Sequence, residues 1–555
     1  MERRLQSAGA DWNQNANSGF LVVVPAEASV PFTTFSIALV PKPNSLLPVR
    51  FYAGFTIGVA LPLYLRMNPP PIPARAPTRR GRKWIIVTAL IAIVLAPLLA
   101  VVISYVSYRM HNSAAIRRLE TKAKQRGEPL TLVDLAAKYP PIPDDENAAA
   151  ALLELWQEEE PEFWQAFLEG RRPLPAHPSH KLDPALPFLG RKAARVSRTE
   201  PLAPSALAAA ETYLQSRAAH TEAVRAALRR PRCRFPVKFT DGFNALLPHL
   251  AKLKTEAGEF RLEALIATEH SDIDAAITAL ANATRTGNLL TSEPLLIDQL
   301  VRLACLQMAL DGTERLLSRA ELTSPQLDRV NAMLNEMKAS GAARSSYISE
   351  RAMSLSVFDL PVDGLATLAS SGDAPEERAD PLGYRVGMGF MTGIGLTGAD
   401  RRLMLETFDQ ALELADKDTP AALFDSQRVF ANAAAKSHEF PPKIFSALLL
   451  PALEKAPGKL AAVEARRRAA LAAVAVQKWR RARNGGLPQR LDDLMPQFLP
   501  SVPLDPYADQ PLRYRMLTNG FVVYSVGADL HDNAGRERPQ KGPLKEYDET
   551  FIIER

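Results

Sequence analysis

A single uncharged run, from Trp84 to Tyr108, constrains this chain more than any other feature. A helix rises about 1.5 Å per residue, so a helix over this run is long enough to cross the hydrocarbon core of a bilayer, which is about 30 Å thick. Pro97 lies near the middle of the run, where membrane helices tolerate a kink. We predict a transmembrane helix over residues 84–108. A buried core helix or a signal peptide is the alternative, although no small-residue cleavage site follows the run.

Basic residues flank the run on both sides and bear on its orientation. Four of them fall within residues 79–83, directly before the run, whereas the downstream ones are spread between Arg109 and Arg126. The flank with more Lys and Arg close to the end of the membrane segment tends to stay in the cytoplasm. Because the upstream group is tighter, we expect a single-pass protein of the cell inner membrane whose larger, C-terminal part is exported to the periplasm.

Residues 1–83 have the composition of a poorly structured, basic and proline-rich region. Short apolar patches such as residues 20–24 alternate with Asn, Ser and Pro, without a sustained helical or strand period. One explanation is that translation starts at Met67, which opens the basic lead-in to the membrane run. An alternative is that residues 51–65 form a second membrane segment, although they fall below the usual spanning length.

The composition is otherwise that of a globular protein, with 47% hydrophobic and 23% charged residues. The net charge is only +6 over 555 residues, and basic and acidic residues alternate along helical stretches, so we expect no binding to nucleic acid. Two cysteines, Cys233 and Cys305, are too few for a disulfide framework or a thiolate metal site. Cys305 falls in an apolar helix and is expected to be a buried thiol, with a bridge to Cys233 as the alternative in an oxidising compartment.

Residues 109–458 are predicted to be mainly helical. In residues 259–269 apolar side chains recur every three or four positions with charges opposite, the pattern of an amphipathic helix. Ser271 or Asp272 is expected to cap the next helix, and Gly287 to end it. Antiparallel helices joined by a tight turn are the unit of helical repeats. No strict repeat motif holds, so we predict an irregular α-solenoid of helix pairs, with a long loop over residues 356–399.

The pattern changes in residues 459–555. A basic helix is followed by the segment Leu504-Asp-Pro-Tyr507 and by β-prone runs over residues 512–515, 521–529 and 550–553. Such runs, separated by turn residues, indicate a small antiparallel sheet packed on the helix. The predicted fold class is therefore mainly α, with a transmembrane helix, an irregular α-solenoid and a small C-terminal α+β module. We expect this module to fold on its own.

These C-terminal motifs resemble a known domain. The order of a helix, a Leu504-Asp-Pro-Tyr507 turn, an Arg-Tyr strand and a Tyr524-Ser-Val-Gly-Ala-Asp529 strand end resembles the C-terminal domain of the major pseudopilin of type II secretion. The whole architecture also resembles membrane-anchored helical-repeat proteins of planctomycetes and verrucomicrobia, a likeness that implies no activity. Unlike a pseudopilin, this chain places a long helical body between its membrane run and the module, so assembly into a filament is not expected.

The pseudopilin resemblance implies a calcium site. Pseudopilins of this type hold calcium in the loop after the Gly-Ala-Asp strand end, and here Asp529, Asp532 and Asp548 would supply carboxylate oxygens, the ligands that calcium prefers. The alternative is a turn-rich loop without an ion, because the acidic, glycine-rich loop of the family is replaced by residues 535–539. We expect no other cofactor.

No catalytic signature stands out in the sequence. His177 and His180 have no acidic or cysteine partners at a metal-ligand interval, and the common metalloprotease, hydrolase and phosphate-loop motifs are missing. The segment Gly393-Ile-Gly-Leu-Thr-Gly398 fits a dinucleotide-binding fingerprint. It lacks the flanking strands that the dinucleotide fold requires, and we expect it to be a loop.

These features favour a non-enzymatic, membrane-tethered scaffold or binding protein of the bacterial envelope. Stacked helices present long concave surfaces, so the expected partners are the membrane and other envelope proteins. One alternative is an envelope hydrolase with a site in the loop over residues 356–399 or between the helical halves. Another is a secretion-apparatus component, which depends on the pseudopilin resemblance. A deep pocket with converging acid and base groups would favour the enzyme.

Overall fold

A computed structural model of the chain describes residues 79–169, 196–337, 341–359, 396–417, 419, 421–439, 443–539 and 546–555. Met67, residues 51–65, His177, His180 and most of the predicted loop over residues 356–399 lie outside these ranges, so those predictions stay open. Among the described residues, Tyr108 to Arg555 form one compact unit, and the chain up to Ser107 belongs to a second unit. The fold is mainly helical, with one apolar candidate span and a three-stranded antiparallel sheet, as predicted.

The predicted membrane run lies in the first helix, α1 (Arg79–Gln125), which continues through Pro97. Large apolar side chains from Val87 to Val106, such as Val94 at 67% exposed and Ile93 at 68%, are open to the surroundings. Within the described residues, α1 is the one helix long and apolar enough to cross a membrane. Such an apolar surface is not stable in water, which favours the membrane over a buried core helix.

The remaining described helices follow in chain order. They are α2 (Leu132–Lys138), α3 (Ala148–Glu159), α4 (Pro161–Leu168), α5 (Pro204–Ser216), α6 (Ala218–Ala227), α7 (Pro248–Glu269), α8 (Ile273–Asn288), α9 (Leu296–Arg319), α10 (Ser324–Glu336), α11 (Ala342–Ser356), α12 (Leu396–Ala415), α13 (Ala422–Ser437) and α14 (Ile444–Ala482). The described ends of the predicted loop over residues 356–399 are helical instead, because Ser356 ends α11, residues 357–359 form a turn of 3-10 helix and α12 begins at Leu396. The last three residues of the segment 393–398, also predicted to be a loop, therefore belong to α12. Some helices that are consecutive in the chain pack on each other, as α7 does on α8, α8 on α9 and α13 on α14.

Local sequence signals start and pair these helices. The carboxylate of Asp272 accepts a hydrogen bond from the backbone N–H of Ala275 at 3.0 Å and caps α8, as predicted. Gly287 lies one residue before the end of α8, where a Cβ would stand 3.0 Å from the Cβ of Cys305 on α9. This glycine therefore serves the close approach of α8 and α9 rather than the end of the helix.

Both cysteines are free thiols, so the alternative of a bridge between them is not realised. Cys305 is fully buried on α9, and burial raises the pKa of its thiol to about 12. A thiol that stays protonated in an apolar interior behaves as a small hydrophobic side chain, the role predicted for Cys305.

The C-terminal sheet has the order β1-β2-β3, with β1 (Arg513–Leu517), β2 (Gly520–Ser525) and β3 (Glu549–Ile553) all antiparallel to their neighbours. Val523 in the central strand pairs with Tyr514 on one side and Phe551 on the other. The buried carboxylate of Asp505 accepts hydrogen bonds from Ser525 Oγ at 2.7 Å and from the backbone N–H of Val526 at 2.9 Å. The Leu-Asp-Pro-Tyr turn is thereby held against the end of β2.

Helix α14 joins this sheet to the helical body. It packs against α9, α10 and α13 and also against β2 and β3, and the predicted boundary between residues 458 and 459 lies inside it. One continuous apolar core contains Leu310 of α9, Val474 of α14 and Phe551 of β3. One face of the sheet therefore shares its core with the body, while Val522, Tyr524 and Ile552 form a small separate apolar cluster.

A buried histidine and glutamate cluster

A cluster of ionisable side chains lies inside the helical body, where α3, α5, α6 and α7 meet. His220 on α6 is 8% exposed, and Glu256 and Glu259 on α7 are 2% and 3% exposed. The two glutamates are three residues apart and lie on one face of their helix. A carboxylate oxygen from each and one ring nitrogen of His220 all lie within 4.8 Å of one another.

His220 is held between two carboxylates. Its Nε2 atom lies 3.0 Å from both carboxylate oxygens of Glu256, and its Nδ1 atom lies 2.8 Å from Oε1 of Glu159. The Nδ1 contact is short but poorly aligned, so this buried nitrogen has no well-formed hydrogen bond. Burial lowers the pKa of His220, but the hydrogen bond and the charge of Glu256 outweigh it, and the net pKa is raised.

Each carboxylate of the cluster also receives a hydrogen bond from a neighbouring side chain. Trp156 Nε1 donates to Glu256 at 3.2 Å, and the Tyr213 hydroxyl donates to Glu259 at 2.6 Å. Arg217 Nε lies 2.8 Å from Oε1 and 3.0 Å from Oε2 of Glu259. Burial and the charge of Glu256 nevertheless raise the pKa of Glu259, which favours its protonated form.

Arg217 and Lys252 are the cations that pair with the glutamates around His220. Arg217 Nη1 lies 3.4 Å from Glu159, and Lys252 Nζ lies 3.6 Å from Glu159 and 2.8 Å from Glu160. When His220 is neutral, the negative charges of Glu159, Glu256 and Glu259 exceed the positive charges that face them. A buried excess charge is costly, so such a group takes up protons or a cation.

The predicted calcium residues lie elsewhere, in the loops after β2 and before β3. Asp548 accepts hydrogen bonds from the backbone N–H groups of Asn533 at 3.2 Å and Gly535 at 2.6 Å. Asp532 accepts one from the Tyr524 hydroxyl at 3.1 Å, and Asp529 accepts one from Asn533 Nδ2 at 2.9 Å. In the part of the chain that the structure describes, these three carboxylates do not form a group whose oxygens converge as those of His220, Glu256 and Glu259 do. Calcium at Asp529, Asp532 and Asp548 stays a prediction.

Sequence reasoning missed the buried cluster because its members come from different helices. Glu256 and Glu259 were visible as two acids three residues apart, spaced so that Glu256 falls on the same helix face as Leu253 and Phe260. Acids on the apolar face of a helix are a usable signal, since unpaired charges are rarely buried. His220 gave no signal, because it lies 36 residues before Glu256.

An open groove lies on the surface beside the C-terminal sheet, with a volume of about 660 Å³. It is bordered by the turn between β1 and β2, by the end of the chain and by two residues of the helical body. The lining residues are Thr199, Ser318, Leu517, Thr518, Asn519, Glu554 and Arg555. The groove carries both an acid, Glu554, and a base, Arg555, and it is too open to surround a small molecule.

Comparison of the chain with protein-family models, with curated proteins and with solved structures finds no match. Its function is therefore inferred from its own residues.

Proposed function

We propose that the protein is a non-enzymatic, membrane-tethered scaffold or binding protein of the bacterial envelope, anchored by α1 in the inner membrane. The observation that carries the proposal is the continuous exposed apolar surface of α1 between Val87 and Val106, in a chain whose other described helices place most of their large apolar side chains in buried cores. Burial of that surface in hydrocarbon would hold the helical body at the membrane.

The helical body and the groove beside the sheet support binding rather than catalysis. Consecutive packed helices, in the manner of an α-solenoid, offer a long surface to a protein partner. The groove around Thr518 and Asn519 is open, whereas small-molecule sites bury most of their ligand. We infer that its partners are other envelope proteins, bound through a surface that includes this groove.

Photocrosslinking in the native cell tests the proposed binding surface. A photoreactive amino acid at Asn519, which is exposed at the rim of the groove, is expected to give discrete adducts with another envelope protein. The matched control carries the same group at Glu154, which is exposed on α3. The absence of adducts at both positions, or the same nonspecific adducts at both, would contradict a binding role for the groove.

The exported orientation of the body is a separate part of the proposal, and it rests on the tighter basic flank before the span. A reporter that is active only after export, fused behind Arg555, is expected to give a signal. A silent export reporter together with an active cytoplasmic reporter at the same position would reverse the orientation.

A further inference from the structure

We propose that His220, Glu256 and Glu259 bind one divalent transition-metal ion of the Zn²⁺ type inside the helical body. This site is independent of the proposed scaffold function, because it rests only on the geometry of α6 and α7 and on the residues around them. It differs from the predicted calcium loop in both position and ligand chemistry.

The spacing of the donor atoms fits a shared metal ion. Two ligand atoms that are each about 2.1 Å from one metal ion are about 3.4 Å from each other at the tetrahedral angle that Zn²⁺ prefers, and about 3.0 Å at an angle of about 90°. His220 Nε2 lies 3.0 Å from each oxygen of Glu256, and an oxygen of Glu259 completes a group within 4.8 Å. The three side chains therefore need only small shifts to reach a common ion.

The neighbouring side chains have the arrangement of an outer ligand shell. In metal sites a ligating histidine usually donates its other ring N–H to a carboxylate, and ligating carboxylates are themselves hydrogen-bonded. Here Glu159 stands 2.8 Å from Nδ1 of His220, and Trp156 and Tyr213 donate to Glu256 and Glu259. With a metal on Nε2, the proton of His220 would reside on Nδ1, where Glu159 can accept it.

Charge also favours a cation at this position. The three negative charges of Glu159, Glu256 and Glu259 exceed the two positive charges of Arg217 and Lys252. Lys252 also pairs with Glu160, which adds a further negative charge. A divalent ion bound to Glu256 and Glu259 would offset the excess negative charge that burial makes costly. Arg217 is the opposing feature, since its guanidinium contacts Glu259 and lowers the affinity of this carboxylate for a cation.

The donor set selects the class of metal. One imidazole nitrogen with two carboxylates suits Zn²⁺, Mn²⁺ and Fe²⁺, whereas Ca²⁺ and Mg²⁺ take oxygen ligands. We therefore use Zn²⁺ as the probe and Ca²⁺ as the contrast. The full-length protein, solubilised in detergent, carrying no polyhistidine tag and freed of metal with a chelator, is titrated with each ion by calorimetry.

Wild-type protein is expected to bind one Zn²⁺ more tightly than the variant Glu256→Gln by about 100-fold or more, because loss of a ligand costs at least as much affinity as loss of an outer-shell partner. No comparable Ca²⁺ binding is expected at this site. The side-chain amide oxygen of this variant can still accept the hydrogen bond of Trp156, so the substitution disturbs the fold little. The matched control is Glu263→Gln, farther along α7, where Glu263 pairs with Arg225 instead of His220. The control is expected to bind Zn²⁺ as the wild type does.

A second variant guards against misfolding of the first. Glu159→Gln leaves all three ligands in place and is expected to weaken Zn²⁺ binding by about 10-fold, as the loss of an outer-shell partner does. Circular dichroism of each metal-free variant establishes that it is folded. Equal Zn²⁺ binding by the wild type and Glu256→Gln, or no Zn²⁺ binding by the wild type, would overturn the proposal.

Discussion

The backbone N–H of Ile552 donates a hydrogen bond of 2.6 Å to Oε1 of Glu314, although 238 residues separate them in the chain. Glu314 is 2% exposed on α9, and its other oxygen lies 3.3 Å from Nη2 of Arg466 on α14. One buried carboxylate therefore connects the last strand of the sheet, the long helix α14 and the helical body.

The substitution Glu314→Ala is expected to destabilise the protein by about 3 kcal/mol, because it leaves Arg466 with one buried partner fewer and Ile552 with an unpaired N–H. Thermal unfolding of the detergent-solubilised protein measures the change. The control Asp328→Ala removes a surface pair with Lys478, and its effect is expected to stay below about 1 kcal/mol. Equal losses of stability in the two variants would contradict the role of Glu314 in joining the sheet to α14 and the helical body.

The substitution Gly287→Ala is expected to destabilise the pair α8 and α9 by about 1–3 kcal/mol. The added Cβ would stand 3.0 Å from Cβ of Cys305 and 3.3 Å from the backbone oxygen of Arg302, which cannot easily move. The matched variant Gly398→Ala places its Cβ in open space on α12 and is expected to stabilise slightly, because alanine is the better helix former. Urea unfolding of both variants compares them, and a stabilised Gly287→Ala would refute the close approach.

His249 is expected to make the protein acid-sensitive. It is fully buried, its ring stacks on Phe235 with centroids 4.2 Å apart, and burial lowers its pKa to about 3. The unfolded chain binds a proton near its ordinary pKa of about 6.5 and the folded protein does not. Above about pH 6.5 His249 is neutral in both states, so its titration does not change the free energy of unfolding. As the pH drops from about 6.5 toward 3, this group lowers the free energy of unfolding by about 1.4 kcal/mol per pH unit.

The variant His249→Phe keeps the stack on Phe235 and removes the titrating group, so its stability should fall less steeply below pH 6.5. Unfolding midpoints of the wild type and the variant between pH 4 and pH 8 measure this difference. Parallel pH profiles would show that His249 is not the acid-sensitive group.

The protein is expected to fractionate with membranes through α1. Deletion of residues 1–108 removes the apolar surface and should leave a soluble helical body. Carbonate-washed membranes from cells that express either form measure the partition. A truncated form that stays in the washed membranes would exclude a single anchor.

The sequence alone determined the features that depend on neighbouring residues. The apolar run of α1, the cap at Asp272 and the turn in which the backbone N–H of Tyr507 donates to Asp505 are set by groups a few positions apart, and local chemistry specifies each of them. The mainly helical fold with a small C-terminal sheet follows from these local patterns.

The tertiary structure decided which distant residues meet. Nothing in the sequence links His220 with Glu256, or Glu314 with Ile552, because these contacts depend on how whole helices and strands pack. The packing of the C-terminal module also depends on distant residues. One apolar face of its sheet packs on α14, and α14 packs in turn on helices of the body. When a face is buried by residues far away in the chain, its hydrophobic pattern shows that it is buried but does not identify the element that packs on it.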